Sequence, residues 1–249
     1  MDRRRQVWTG RDTRILVLTW VAGLTDAISY LGLGHVFTAM MTGNTVLLGL
    51  AIAQGEVSAA WRSILALAGF AAGVAVGALI VDRDRSHGAW PPAVTGALAV
   101  EGVLLALFTA TWQLTGGARR VGVVYLLILL SGGAMGVQAA AVRRLGVPGI
   151  ATTYITGTLT NLVVDLVGWL CATAGPSLGS IARNARAMAP PARTWEHRVG
   201  LLAAVFLVYG LGAFVGGVLQ DRSSPLVAWL PPLALAAVVA TEWARAEHS

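Results

Sequence analysis

Along this chain, long uncharged windows alternate with short clusters of arginine. Residues 27–55, 63–81, 121–142, 145–164, 199–220 and 223–241 contain no Asp, Glu, Lys or Arg. Most of these windows reach the roughly 20 residues that a helix needs to cross a hydrocarbon core. Hydropathy, with Trp or Arg at the edges, predicts eight apolar segments near residues 13–31, 36–54, 61–81, 92–113, 121–142, 150–174, 198–219 and 224–243. Trp61, Trp90, Trp112 and Trp243 fall at segment ends, where an amphipathic ring prefers the headgroup level. The expected fold is all-α, a polytopic transmembrane helix bundle forming a single integral membrane domain over residues 1–249. It would have six to eight full spans, with the second and sixth segments as candidates for broken helices.

Composition removes the soluble alternative. Hydrophobic residues make up 56% and charged residues 12%, against roughly a quarter charged in a typical globular protein. There is too little charge to cover a water-facing surface, so the lipid bilayer is the expected partner. All 18 basic residues are arginines, set against 12 acids for a formal charge of +6. They occupy the gaps between apolar runs instead of one soluble face, which argues against a nucleic-acid partner and reads as a topology signal. If all eight segments cross, 13 arginines lie on the N-terminal side and 5 opposite; if the second and sixth dip in and return, the division is 14 to 4. Either division places the N-terminus in the cytoplasm. Arg143 and Arg144 change sides between the two topologies.

The five arginines of Met1–Arg14 ahead of an apolar stretch resemble a signal peptide, but the small-residue cleavage pattern is missing, so this stretch reads as a cytoplasmic tail. Gly175–Arg198, with Pro176, Pro190, Pro191 and four arginines, reads as a cytoplasmic linker over residues 175–198. The single cysteine, Cys171, permits no disulfide within the chain.

Two halves echo one another, repeat A at about 13–113 and repeat B at about 121–243. The first carries A-G-L-T-D-A at Ala22–Ala27 and M-T-G-N-T at Met41–Thr45. The second carries G-G-A-M-G-V-Q-A at Gly132–Ala139 and I-T-G-T-L-T-N at Ile155–Asn161. Thr42-Gly43 matches Thr156-Gly157 at an offset of 114, while Gly73, Gly77, Asp82 and Arg83 recur 139 residues later as Gly212, Gly216, Asp221 and Arg222. The 175–198 linker accounts for the longer offset. Internal duplication marks many secondary transporters, which bind their solute near the midplane where the halves meet. Eight spans would make the halves parallel and six would make them inverted.

The candidate chemistry lies at these motifs. Thr42, Gly43, Asn44 and Thr45, and their counterparts Thr156, Gly157, Thr158 and Asn161, put glycine among hydroxyl and amide groups inside apolar segments. A helix broken there exposes backbone N–H groups to an anion or polar solute; the same residues also suit close helix packing. Asp26, Glu101 and Asp165 each fall well inside an apolar segment. A carboxylate at that depth needs a proton, a wet cavity or a bound cation, which points to proton or cation handling. Asp26, beside the repeated motif, is the leading site. Gln138 stands near the place of Thr25 and Asp26 in the repeat, lining the same cavity or making an interhelical hydrogen bond. Gly69, Gly73 and Gly77 read as close helix packing within or between chains, which leaves a homo-oligomer open. Asp82-Arg83 and Asp221-Arg222 resemble a loop motif of major facilitator transporters, with a helix-end ion pair as the simpler account. Gly175–Gly179 fits G-x-S-x-G without the strand-to-helix context that a hydrolase needs. The four histidines, His35, His87, His197 and His248, are scattered without metal-ligand spacing. No catalytic residue, cofactor or metal is expected, and the chain is not expected to be an enzyme.

T-D-A followed by M-T-G-N-T, then G-V-Q-A followed by I-T-G-T-L-T-N, resembles the YoaK-like family of bacterial inner-membrane proteins, a domain-of-unknown-function group. The resemblance covers nearly the whole chain. It implies a bacterial membrane domain without an established substrate, in the plasma (inner) membrane. Where the family pattern reads G-x-Q-N-A, this chain has Ala139 in place of Asn. The expected function is that of a small-solute transporter or permease with proton or cation coupling; the alternative is a non-transporting scaffold or partner subunit.

Overall fold

The computed structural model describes residues 8–84, 86, 88, 90–117, 120–146, 155–173, 192–221 and 227–246. The tail before Trp8, the Gly175–Gly179 motif, most of the expected linker, His87, Arg222 and His248 lie outside the described residues. The described chain forms α1 (Gly10–Gly32), α2 (Met41–Gln54), α3 (Val57–Val81), α4 (Pro92–Leu114), α5 (Val121–Arg144), α6 (Ile155–Thr173), α7 (Ala192–Asp221) and α8 (Leu230–Ala246). A 3-10 turn, Val227–Trp229, leads into α8. α1 is started by a capping box: the Thr9 hydroxyl accepts from the Asp12 N–H, and the Asp12 carboxylate accepts from the Thr9 N–H. α7 follows directly on Pro190-Pro191 in the sequence, the pattern of a helix start, so Ala192–Arg198 is helix where a linker was expected.

Six stretches, in α1, α3, α4, α5, α7 and α8, are long and apolar enough to cross a membrane. α2 has 14 residues, roughly 21 Å of helix, short of a core of roughly 30 Å. Contacts at the two ends decide between the topologies. The Arg14 guanidinium lies over the Trp90 ring at 4.7 Å, His197 meets Asp12 at 3.1 Å, and Arg14 pairs with Glu242. The start of α1, the α3–α4 loop, the start of α7 and the end of α8 therefore share one face, here the N-terminal face. Arg144 adds the end of α5, because its Nη2 donates to the carbonyls of Asp84 at 2.8 Å and Ser86 at 3.2 Å. At the opposite face a Cβ on Gly32 would fall 2.7 Å from the Trp112 ring and 3.2 Å from the Gln220 amide, so α1, α4 and α7 end together. Eight spans would separate Arg14 from Trp90 by the width of the bilayer. Among the described residues the contacts fit six spans, with α2 between two that begin and end on the same faces and α6 following the N-terminal-face end of α5.

Helix pairing is reciprocal between the halves. α3 packs most extensively on α5 and α1 on α7; α2 lies on α3 and α6 on α7; α5 packs on α4 and α1 on α8. The closest approaches repeat residue by residue. A Cβ on Gly23 would overlap the Tyr209 carbonyl, and one on Gly136 the Phe70 carbonyl. A Cβ on Gly73 would overlap the Gly133 carbonyl, and one on Gly212 the Trp20 carbonyl. Gly136 and Gly133 stand 113 residues after Gly23 and Trp20, and Tyr209 and Gly212 stand 139 after Phe70 and Gly73. Glycine is required here because the helix backbones touch with no room for a side chain. Around these crossings the main apolar cluster joins Ile15, Leu18, Leu98, Met135, Leu202 and Leu235.

Candidate functional site

After α1 the chain reverses through two residues in the left-handed region, Gly34 at φ 86° and His35 at φ 64°. The second is uncommon for a residue with a side chain. The chain then runs back beside the last two turns of α1. Asp26 lies six residues before the end of α1, roughly 9 Å along its axis, and meets the returning strand there. Its Oδ1 accepts from the N–H groups of Thr38 and Ala39, both at 2.7 Å. Its Oδ2 accepts from the Met40 N–H at 3.1 Å and from the Tyr209 hydroxyl at 2.5 Å. Each oxygen thus takes two donors, an arrangement that suits the ionised carboxylate, since a proton on either oxygen would displace one of them. The N–H groups of the buried Thr38 and Ala39 would otherwise be unpaired. Asp26 also supplies a negative charge just before the start of α2, whose Met40 N-cap has no side-chain hydrogen bond of its own.

The M-T-G-N-T motif completes this junction. Asn44, fully buried, accepts from the Phe37 N–H at 2.9 Å and donates to the Phe37 carbonyl at 2.6 Å. Gly43 leaves room for the Phe37 ring, which would lie 2.9 Å from a Cβ there and which stacks on Tyr30 at 4.9 Å. The Ser29 and Thr38 hydroxyls pair at 3.2 Å. Thr42 and Thr45 point away, on the exposed side of α2 with Val46 and Leu50; the Thr45 hydroxyl donates to the Met41 carbonyl. The loop opens toward the opposite face beside a cavity of about 160 Å³ that His35, Gln54, Glu56, Arg62 and Ser63 help to line.

In the second half, Thr158 is buried, Asn161 is half-buried, and Thr156 and Gly157 are exposed. Asp165 is paired with Arg198 of α7 at 2.8 Å, a charge contact that holds α6 to α7. Gln138 is buried and donates through Nε2 to the Leu18 carbonyl at 3.1 Å, joining α5 to α1. Glu101 is fully buried on α4, and neither of its oxygens has a hydrogen-bond partner among the described residues. Leu98 and Leu105, one turn either side on α4, belong to the main apolar cluster, so this carboxyl sits among apolar side chains. The candidates therefore do not form one shared constellation: Asp26 and Asn44 meet at the loop, whereas Asp165, Gln138 and Glu101 each serve a separate helix contact or none.

On the N-terminal face the Asp84 carboxylate accepts from the N–H groups of Ser86 at 2.8 Å and Ala93 at 3.1 Å. These two backbone donors hold its carboxyl below the usual carboxylate range, with Arg144 adding to them. The anchor is complete above that range and is lost as pH falls through the depressed value.

Sequence reasoning missed Tyr209, Arg198, the Asp12–His197 contact and the Arg14–Glu242 pair. Tyr209 sits in an uncharged window, and the only signal for it was its register: 139 residues earlier stands Phe70, against Gly136, as Tyr209 stands against Gly23. Arg198 was read as part of a linker.

The chain matches the family described as Protein of unknown function (DUF1275) over residues 15–241. It is 34% identical over 231 residues to the UPF0700 transmembrane protein YoaK of Bacillus subtilis (strain 168), covering 93% of each chain. It is 27% identical over 240 residues to the UPF0700 transmembrane protein RA0705 of Rhizobium meliloti (strain 1021), covering 94% of this chain and 89% of that one. No solved structure matches the chain. Both relatives are named as transmembrane proteins, in keeping with the six candidate spans among the described residues, and the match runs from α1 into α8: this multi-pass membrane protein belongs to the DUF1275 family.

Proposed function

We propose that this protein is a small-solute permease of the bacterial plasma membrane, not an enzyme, with its N-terminal face in the cytoplasm and its transport coupled to protons through Asp26. The observation that carries the reading is the binding of a buried carboxylate to three successive N–H groups of a loop that is not itself a spanning helix, completed by a hydroxyl from α7. A proton arriving at Asp26 removes one of its four acceptor positions: on Oδ1 it costs a loop N–H its acceptor, and on Oδ2 it reverses the hydrogen bond with Tyr209 or costs the Met40 N–H its acceptor. Protonation of Asp26 and its hold on the loop before α2 are then linked. The reciprocal packing of α1–α4 and α5–α8 supports descent from an inverted duplication, the arrangement in which transporters place solute sites between broken segments. With six spans, 14 of the 18 arginines fall on the N-terminal face, which supports its cytoplasmic placement.

The test is proton movement in proteoliposomes loaded with a pH-sensitive dye, challenged with a panel of small solutes under an imposed pH gradient. At least one solute is expected to speed collapse of the gradient, and Asp26→Asn is expected to slow that response about tenfold or more while the protein stays folded. An undiminished response in Asp26→Asn would refute the coupling. Wild-type vesicles that stay tight to the whole panel, with a stable co-purifying partner, would favour a scaffold.

A further inference from the structure

At the N-terminal face α3 and α5 leave a cleft between them of about 360 Å³. Its wall is Val74, Ala78, Val81 and Ala140, within the spans, and its polar groups are Asp82, Arg143 and Arg144 at the helix ends. Arg144 is held in place through Nη2 on the Asp84 and Ser86 carbonyls, while its Nε is buried with no hydrogen-bond partner among the described residues. Arg143 is exposed. Ala71 and Ala75, exposed on α3 beside Val74 and Ala78, carry the cleft's edge onto the surface that faces lipid.

We infer that this cleft binds an anionic glycerophospholipid, with the phosphate on Arg143 and Arg144, a headgroup hydroxyl on Asp82, and one acyl chain along Val74, Ala78 and Val81. Two guanidinium groups against one carboxylate favour an anion. Asp82 is exposed at the rim of the cleft, where a glycerol headgroup can donate a hydroxyl to it and a choline headgroup cannot. A free phosphate would satisfy the arginines and leave the apolar wall bare; a phospholipid covers both. The site stands apart from Asp26 and does not depend on the transport reading.

The probe is phosphatidylglycerol added to the delipidated full-length protein in detergent, with retained lipid counted by native mass spectrometry. Phosphatidylcholine of the same chain length and inorganic phosphate are the comparison ligands. Phosphatidylglycerol is expected to be retained about tenfold better than phosphatidylcholine. Arg143→Ala is expected to remove most of that preference, on the scale of one charge-assisted contact, and Arg143→Lys to restore part of it. Ala78→Phe, which fills the apolar wall, is expected to reduce retention with helix content and elution volume unchanged. Arg143 is exposed, so its replacement separates binding from folding. Equal retention of the two lipids, or Arg143→Ala and Ala78→Phe both binding as the wild type does, would overturn the proposal. Displacement of the lipid by inorganic phosphate at equal concentration would also overturn it, in favour of a site for the free anion.

Discussion

A single methyl group at Gly136 is expected to destabilise the bundle by about 3 kcal/mol or more. Its Cβ would overlap the Phe70 carbonyl and lie 2.7 Å from the Val74 amide nitrogen, and both obstacles are backbone. A flexible side chain could swing aside, whereas here α3 and α5 must move apart. Separation would loosen the packing at Gly69, Gly73 and Gly77 along the same seam. Gly23→Ala is expected to do comparable harm, since its Cβ would overlap the Tyr209 carbonyl in the same geometry on the α1–α7 seam. Gly157 and Gly210 have open space where a Cβ would stand, and alanine at either is expected to be neutral or stabilising by about 0.5–1 kcal/mol through helix propensity. Thermal unfolding in mild detergent, followed by loss of the monodisperse elution peak, separates the two groups. Equal melting temperatures for Gly136→Ala and Gly210→Ala would show that these helices do not cross where described.

Asp26→Ala is expected to have the second large effect, about 4 kcal/mol. The substitution leaves the N–H groups of Thr38, Ala39 and Met40 and the Tyr209 hydroxyl without their acceptor. Each unpaired buried donor costs about 1–3 kcal/mol, less whatever water can reach it. The loss should be local first. Amide hydrogen exchange at Thr38–Met40 is expected to rise by orders of magnitude while the α3–α5 seam keeps its protection. Asn44→Ala is expected to release Phe37 in the same way, since that side chain holds both its N–H and its carbonyl. Unchanged protection at residues 38–40 in Asp26→Ala would mean that the carboxylate does not hold the loop.

Much of the fold was legible because lipid imposes a simple rule: spans must be long, apolar and helical. The arginine clusters marked the span ends, and the small residues Gly73, Gly77, Gly212 and Gly216 marked positions of close helix contact. The number of crossings was not legible. Residues 36–54 are as apolar as a true span, and what turns them back is three-dimensional: the reach of Asp26 to residues 38–40 and the left-handed turn at Gly34 and His35. Charge bias favoured neither topology, because the arginines that change sides nearly cancel and the division moves only from 13 to 14 of 18. At the site, the depth of Asp26 marked it as needing partners, and its nearness to the motif was visible. The partners themselves are backbone groups of Thr38, Ala39 and Met40, to which no residue type gives a clue. Thr42 and Thr45 share the motif with Asn44, yet helical geometry puts Asn44 inward and the two threonines on the exposed side. Composition alone could not divide the motif that way.

The role of Asp26 requires six crossings, with α2 leaving the membrane on the side it entered. Single cysteines at Glu56 and at Arg143, in a chain with Cys171 replaced by alanine, test this when labelled by a membrane-impermeant maleimide in sealed vesicles of known orientation. Six crossings require Arg143→Cys to label from the side that holds the N-terminus and Glu56→Cys from the other. The reverse pattern, with position 56 on the N-terminal side and position 143 across the membrane, would show that all eight segments cross and would remove the turned-back loop on which the role of Asp26 depends.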